Sequence, residues 1–316
     1  MRVIAGSARA ADAHLRRPIV TIGNFDGIHL GHQAILRTVV ARARALDGDA
    51  VVYTFDPHPR KVLRPDAAPA LLTTLEQRLE LLEAARVDAV VLEPFTAEFA
   101  RMDPDAFVRE YLHARLRPVE VYVGYDFHFG RDREGSMRLL TERGPRLGFA
   151  VTIIPEITVD DGDVNSTRIR ELLEQGAVER AGRMLGRPYT VRGSVVRGDA
   201  RGAGLGFPTA NLAPENELLP AAGVYAGTLR LLDAGDPPAG SVLRAVTNVG
   251  RRPTFSGVAL RAESHAIDWS GDLYGRRVEV SFELHLRGER KFESAAALKQ
   301  QIGADVAQAR ERLGAS

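Results

Sequence analysis

Two histidines three residues apart, His29 and His32, lie in the glycine-punctuated run GNFDGIHLGHQAIL, residues 23–36. Glycines at 23, 27 and 31 let backbone approach a bound group closely. At the opening of a helix, side chains spaced i, i+3 face the same way, and the helix end offers unsatisfied N–H groups. That combination suits a polyphosphate, above all one that gains charge as it reacts. The competing reading of HxxH is half a metal site, and no third ligand lies nearby in sequence. Asn165-Ser166-Thr167-Arg168-Ile169-Arg170 opens another helix. Hydroxyls at its N-cap and two arginines can make a second phosphate-binding end, although alone the segment reads more readily as a capped helix with solvated arginines. A third signal is VRGDARGAGLGFPTANL, residues 196–212. Backbone amides at Gly198, Gly202, Gly204 and Gly206 can wrap a phosphate chain without lysine. The dinucleotide pattern GxGxxG fails, because position 207 is Phe207. Thr209 and Asn211 are two apart, so in extended chain both point to one face. Two neutral oxygens with phosphates and water are a reasonable Mg²⁺ shell.

The elements that must position these residues fall into two groups. In the first, short apolar runs alternate with helical patterns: PIVTIG at 18–23, AVVYTF at 50–55, DAVVL at 88–92, VEVYVG at 119–124 and FAVTII at 149–154. Between the first two, Ile35, Leu36, Val39 and Val40 recur with a helical period. LLTT at 71–74 precedes LEQRLELLEAA, where Thr74 and Gln77 have capping-box spacing, and Asp103-Pro104 reads as an N-cap followed by proline at the first helical position. The alternation predicts an open, Rossmann-like parallel α/β sheet, whose ligands bind beyond the carboxyl ends of the strands. After Arg187 the helical periods stop. Runs at 189–196, 224–232, 245–249 and 277–286, separated by Gly, Pro and Asp turns, predict a closed antiparallel barrel. A terminal helix follows, with Ser294 as N-cap and Leu298, Ile302, Val306 and Ala309 on one face. The expected domains are 1–186 and 187–316.

Composition excludes several classes. Of 42 basic residues only Lys61, Lys291 and Lys299 are lysines, and none follows a glycine, so the phosphate loop GxxxxGK[ST] is absent. At 316 residues, two domains are the natural division. Forty-two basic residues against 41 acidic give +1, so no global basic field recruits nucleic acid or anionic lipid. Without cysteine there is no disulfide framework and no thiolate nucleophile. The opening MRVIAGSARAADAHLRRP has no apolar signal core, and no window holds ~18 uninterrupted apolar residues. The expectation is a cytoplasmic protein with neither membrane nor nucleic-acid partner. Oligomeric state stays open between a monomer and a weak homo-oligomer.

Taken together, HxGH and STRIR resemble the nucleotidylyltransferase superfamily, in which such segments clasp ATP and the α phosphate is attacked directly. TFDPHP (54–59) and VGYDFHFGRDREGS (123–136) each follow a strand, where a second substrate would lie. With GNFDGIHLGH and LLTTLEQR, these segments make residues 19–185 similar to the FAD synthetase module of prokaryotic bifunctional riboflavin kinase/FAD synthetases. GFPTAN resembles the flavokinase motif of the same family, and GVYAG (223–227), NVGRRPTF (248–255), AESHAIDWSGDLYG (262–275) and HLRGERKFES (285–294) follow in family order.

The resemblance implies two ATP-dependent steps, riboflavin to FMN in the barrel and FMN to FAD in the α/β domain, with Mg²⁺ accompanying ATP and the flavins as substrates and products. It implies adenylyl transfer by His29 and His32, and ATP binding there by Gly23, Phe25, Asp26, Gly27, Gly31, Ser166, Thr167, Arg168 and Arg170. FMN binding falls to Asp56, His58, Asp126 and Phe127. Kinase ATP binding falls to Gly198, Gly202, Gly204, Gly206, Phe207 and Pro208, the metal to Thr209 and Asn211, and the base to Glu263, with His265 on the same face. The chain departs from the family pattern at Asn165, where serine is usual, at His128, where arginine is common, and at Ala203 and Gly204, where bulkier residues are frequent.

Overall fold

A computed structural model describes all residues except 161, 198–203, 205, 255–256 and 315–316, with backbone alone at 251–254 and 257–259. The kinase-loop glycines Gly198 and Gly202, and Ala203, lie outside the described residues. Contacts divide the chain into two compact units, 1–70 with 75–164, and 71–74 with 165–316.

The first unit opens with β1 (Arg2–Ala5), β2 (Ile19–Ile22), α1 (Leu30–Ala45), β3 (Ala50–Asp56), the short α2 (Pro59–Leu63), α3 (Leu75–Ala84) and β4 (Ala89–Pro94). Two short helices follow, α4 (Ala97–Ala100) and α5 (Pro104–Ala106), the latter continuing as a π-helix over Phe107–Leu116. Asp103 caps α5 by accepting from the Ala106 N–H at 3.0 Å, and Pro104 sits in its first turn, as the sequence predicts. Then come β5 (Glu120–Gly124), a hairpin of β6 (His128–Phe129) and β7 (Gly135–Ser136), α6 (Met137–Arg146), β8 (Ala150–Ile154) and a second hairpin of β9 (Thr158–Val159) and β10 (Gly162–Asp163).

The sheet order is β1-β4-β3-β2-β5-β8, parallel throughout. Its central strands are buried along nearly their whole length, which is why β2 and β3 read as continuous apolar runs rather than alternating ones. β1 was not predicted. Only Ile4 of it is buried, so it carries no periodic signal. Because β2 lies between β3 and β5, the loops leaving those three strands at their carboxyl ends are neighbours. Those loops are GNFDG, DPHP and YDFHF.

The second unit holds α7 (Ser166–Glu174), α8 (Val178–Leu185), β11 (Tyr189–Val196), β12 (Ala210–Pro214), β13 (Gly223–Leu231), β14 (Val242–Thr254), β15 (Gly257–Ala266), β16 (Arg277–Phe282), β17 (Leu284–Gly288) and α9 (Ala295–Leu313). The antiparallel ring β14-β15-β12-β11-β16-β13 closes because β13 also pairs with β14, from Gly223 opposite Val249 to Arg230 opposite Val242. This is the predicted barrel, with β17 added to β13. Closure brings backbones close: a Cβ at Gly227 would lie 2.1 Å from the Ser281 carbonyl oxygen, so only glycine fits there. Ser294 caps α9 through the Ala297 N–H at 3.2 Å. Val306 and Ala309 of α9 pack with Val224, Ala226 and Val246 of the barrel. α7 and α8 group with the barrel by contacts. The Ala221 N–H donates to the Leu173 carbonyl at 2.9 Å, and α8 packs on β11 and β17.

Candidate active sites

In the first unit, His29 is the N-cap of α1, and its Nδ1 accepts the backbone N–H of His32 at 3.3 Å. That acceptor role places the proton of a neutral His29 on Nε2. The two rings stack with centroids 3.7 Å apart. Burial first, and the neighbouring His29 second, hold the His32 pKa well below the ordinary imidazole range, so it is neutral around pH 7. Phe25 packs against His32 with centroids 5.0 Å apart.

The loop that delivers this pair is strained. Phe25, Gly27 and Ile28 all have φ between +43° and +82°. For Phe and Ile that conformation persists only when surroundings over-determine it. Both side chains are fully buried with Leu36, Val52, Leu82 and Val90, which does so. Asp26 is buried beside them. Gly31 permits the ring arrangement: a Cβ there would lie 3.1 Å from His29 Nδ1.

On the next strand, Asp56 is exposed, whereas His58 is buried and caps α2 by accepting from the Arg60 N–H at 3.2 Å. Asp126 is exposed and Phe127 half-buried after β5, the latter ring 5.5 Å from Phe129. His128 Nδ1 lies 2.8 Å from the Asp126 carbonyl oxygen and 3.2 Å from the Arg133 guanidinium. An aromatic wall missed by sequence reasoning continues from here. Phe129 meets Phe107, and Phe99 meets Phe55, Phe95, Phe107 and Tyr111, all at 5.2–6.2 Å. Arg78 of α3 was also missed: its guanidinium is buried and reaches both the Asn24 and Phe55 carbonyls.

In the second unit, the N-cap of α7 is Asn165, not a hydroxyl residue: its Oδ1 accepts the Arg168 N–H at 2.8 Å. Asn replaces serine at the cap without losing the acceptor, which explains that departure. Ser166 and Thr167 begin the helix, Arg168 pairs with Glu171 at 3.0 Å, and Arg170 is buried.

On the barrel, Asn211 of β12 lies directly opposite Glu263 of β15, and Asn248 of β14 lies opposite Glu263 on its other side. Directly paired residues present side chains to one face, so the carboxylate is flanked by two amides. Asn248 was missed as an individual residue, although it opens the NVGRRPTF segment. Thr209 precedes β12 on the Asn211 side. His265 Nδ1 donates to the Pro208 carbonyl at 2.9 Å, and its ring meets Phe207 edge-on at 5.3 Å. It therefore fastens the FPT segment to the strand that carries Glu263. Phe207 also packs against the barrel–α9 cluster. Gly206 has φ +88°, a conformation natural only to glycine, and Gly204 is exposed. A hard cation fits Asn211 and Thr209 by donor chemistry, since both offer neutral oxygens. Among the described residues no three His, Asp or Glu side chains gather as a metal site.

An open parallel sheet with a stacked histidine pair at its switch point, followed by a closed barrel with an Asn–Glu pair, is the architecture of a two-site nucleotide-dependent transferase. The sequence matches the FAD synthetase family over residues 11–168 and the riboflavin kinase family over 185–313. It is 36% identical over 314 residues to the bifunctional riboflavin kinase/FMN adenylyltransferase of Escherichia coli K12, covering 99% of this chain and 98% of that one. The Haemophilus influenzae enzyme of the same name is 37% identical, at 97% coverage of each chain, and that of Bacillus subtilis 168 is 32% identical, at 93% and 92%. A Streptococcus pneumoniae crystal structure described as a macrolide-efflux protein superposes with a TM-score of 0.86 at 31% identity, covering 98% of this chain and 99% of that one. Among the described residues no helix here is long and apolar enough to cross a membrane. The chain belongs to the family of bifunctional riboflavin kinase/FMN adenylyltransferases, with the adenylyltransferase module first and the kinase module second.

Proposed function

We propose that the residues named above carry the two reactions, with 1–186 serving adenylyl transfer and 187–316 serving phosphorylation. In the barrel, the Glu263 carboxylate accepts the proton of the riboflavin ribityl 5′-hydroxyl while that oxygen bonds to the γ phosphorus of ATP. The bond from γ phosphorus to the β,γ-bridging oxygen breaks, and ADP leaves. Thr209 and Asn211 would hold Mg²⁺ brought with ATP, which supplies charge neutralisation on the phosphates. Phe207, Pro208, Gly204 and Gly206 would line the nucleotide, and by resemblance to the family so would Gly198 and Gly202, which lie outside the described residues. The observation that carries this half is the register of Asn211 opposite Glu263.

In the α/β module, an FMN phosphate oxygen bonds to the α phosphorus of ATP and pyrophosphate departs. His29 and His32 stand at the end of α1, where ring N–H groups, first-turn amides and the helix dipole favour the charge that develops. Gly23, Phe25, Asp26, Gly27 and Gly31 shape that loop, and Ser166, Thr167, Arg168 and Arg170 bind phosphate. The partly exposed rings Phe95, Phe99 and Phe127, backed by the buried Phe55, Phe107 and Phe129 and lying with Asp56, His58 and Asp126 at the carboxyl ends of β3, β4 and β5, suit a flat isoalloxazine ring, which aromatic groups hold by stacking and edge contacts. On this reading the partners are the small molecules ATP, riboflavin and FMN, and the enzyme works in the cytoplasm.

The test is chromatography of products from purified protein with Mg-ATP. Glu263→Gln should abolish FMN formation from riboflavin yet leave FAD formation from supplied FMN. His29→Ala combined with His32→Ala should do the reverse. Either variant losing neither reaction would overturn the assignment.

A further inference from the structure

Arg78 is a charged residue in the helical run LEQRLELLEAA, yet its side chain is only 7% exposed. Its Nη1 donates to the Asn24 carbonyl at 3.1 Å and its Nη2 to the Phe55 carbonyl at 3.3 Å. The same Nη2 lies 3.7 Å from the Asp56 carboxylate, while Nε is buried and unpaired. Asn24 belongs to the GNFDG loop after β2, and Phe55 to the FDPHP segment of β3. The two aspartates whose charges act on the guanidinium, Asp56 and Asp26, come one from each segment. Burying a cation is costly even beside a carboxylate at 3.7 Å, and filling this space alone would need no charge. A planar fork, unlike an apolar side chain, binds carbonyls from two different segments at once, and it holds its two donors in fixed directions.

The residue bonded by Nη1 immediately precedes the strained Phe25, and the Asn24 carbonyl also accepts from Thr54 Oγ1 at 3.3 Å. Leu82, one turn further along α3, packs under Phe25 and Ile28. α3 therefore supports the histidine loop by packing and ties it to the second loop by hydrogen bonds.

We propose that Arg78 is a positioning residue for adenylyl transfer, fixing the loop that presents His29 and His32 relative to the loop that presents Asp56 and His58. The inference rests on the reading that these loops serve ATP and FMN respectively.

The experiment uses the full-length chain with Arg78→Gln and Arg78→Lys. FAD formation is measured with FMN and ATP varied in turn, and riboflavin phosphorylation by the same preparation reports intact chain. For Arg78→Gln, the KM for FMN and the KM for ATP should both rise roughly tenfold, because displacing reacting groups by a fraction of an ångström has effects of that order. Kinase activity should stay within about twofold, as Arg78 and its carbonyl partners at Asn24 and Phe55 all belong to the first unit. Arg78→Lys, which keeps the charge and donors but loses the fixed fork, should fall between. If both KM values are unchanged and only the amplitude falls with the folded fraction, Arg78 is structural and the proposal fails. A rise in one KM alone also defeats it, because the tie is then not between the loops. Should Arg78→Gln not fold, unaltered KM values in Arg78→Lys defeat it equally. Parent protein that phosphorylates riboflavin but makes no FAD from FMN would instead overturn the underlying reading.

Discussion

Gly31→Ala separates the stability of the first unit from its chemistry. Gly31 lies in the first turn of α1, and alanine there favours the helix by up to about 1 kcal/mol. The added Cβ, however, would lie 3.1 Å from His29 Nδ1, 3.2 Å from its Cε1 and 3.4 Å from the Val164 carbonyl oxygen. The last is an ordinary contact. The first two require the imidazole to retreat by a few tenths of an ångström. That ring has little room, being stacked on His32 at 3.7 Å and bonded to the His32 N–H at an already long 3.3 Å. If a misplacement of about 1 Å costs roughly 100-fold, a shift of 0.3–0.5 Å costs about 4- to 10-fold on a logarithmic scale. The expected variant is as stable as the parent to within about 1 kcal/mol, yet 4- to 10-fold poorer in kcat/KM for FMN adenylylation. Riboflavin phosphorylation by the same preparation serves as the internal control. Unaltered kcat/KM for adenylylation in a folded Gly31→Ala protein would refute the placement of His29 at the reacting phosphate.

Four further outcomes follow from named contacts. Glu263→Gln should lower riboflavin phosphorylation by about 10²- to 10⁴-fold with little change in the KM for ATP, read by a coupled ADP assay. His265→Ala removes the bond to the Pro208 carbonyl and the edge contact with Phe207. A loss of about 1 kcal/mol should raise the kinase KM for ATP about fivefold, whereas His265→Asn, which can still donate, should recover part of it. Because the folded pKa of His32 lies below its unfolded value near 6.5, the unfolded chain takes up that proton first. Stability from this residue is complete above that value and is lost as pH falls below it, at up to about 1.4 kcal/mol per pH unit. Urea midpoints at pH 7.5 and 5.5 should therefore converge in His32→Gln. Gly227→Ala places Cβ 2.1 Å from the Ser281 backbone oxygen, so strands β13 and β16 must part. A destabilisation of about 3 kcal/mol or more should appear in thermal denaturation and remove kinase activity.

How much of this was legible in the sequence depends on where each residue's role is decided. Gly23, His29 and Asn211 were readable because local chemistry reveals them: glycine where backbone must turn or come close, a capping side chain at a helix start, and period two in a strand. The alternation of strands and helices likewise announced the parallel sheet, and the loss of helical period after Arg187 announced the barrel. Neither pattern states which strands close on each other, since the pairing of β13 with β14 and β16 is a long-range choice.

Arg78 shows the same limit at a single residue. In LEQRLELLEAA a lone arginine among glutamates reads as a solvated helix face, and only the strand ends beneath it, 54 and 23 positions away in sequence, turn that face inward. Glu93 is comparable, buried on β4 and accepting from the Ser7 N–H at 2.7 Å and the Tyr53 hydroxyl at 2.9 Å. Phe55, Phe95, Phe99 and Phe107 have no regular spacing, yet the fold gathers them on one wall. Residues proposed to meet a substrate sit at a helix start, as His29 does, or in the alternating pattern of a strand, as Asn211 and Glu263 do, and so carry local signatures. Residues that hold those elements in place are buried charges and irregular aromatics, whose partners are chosen by the tertiary fold. A scan for function in this family by motif alone will therefore find His29 and Glu263 and pass over Arg78, on which, by the proposal above, the placing of His29 depends.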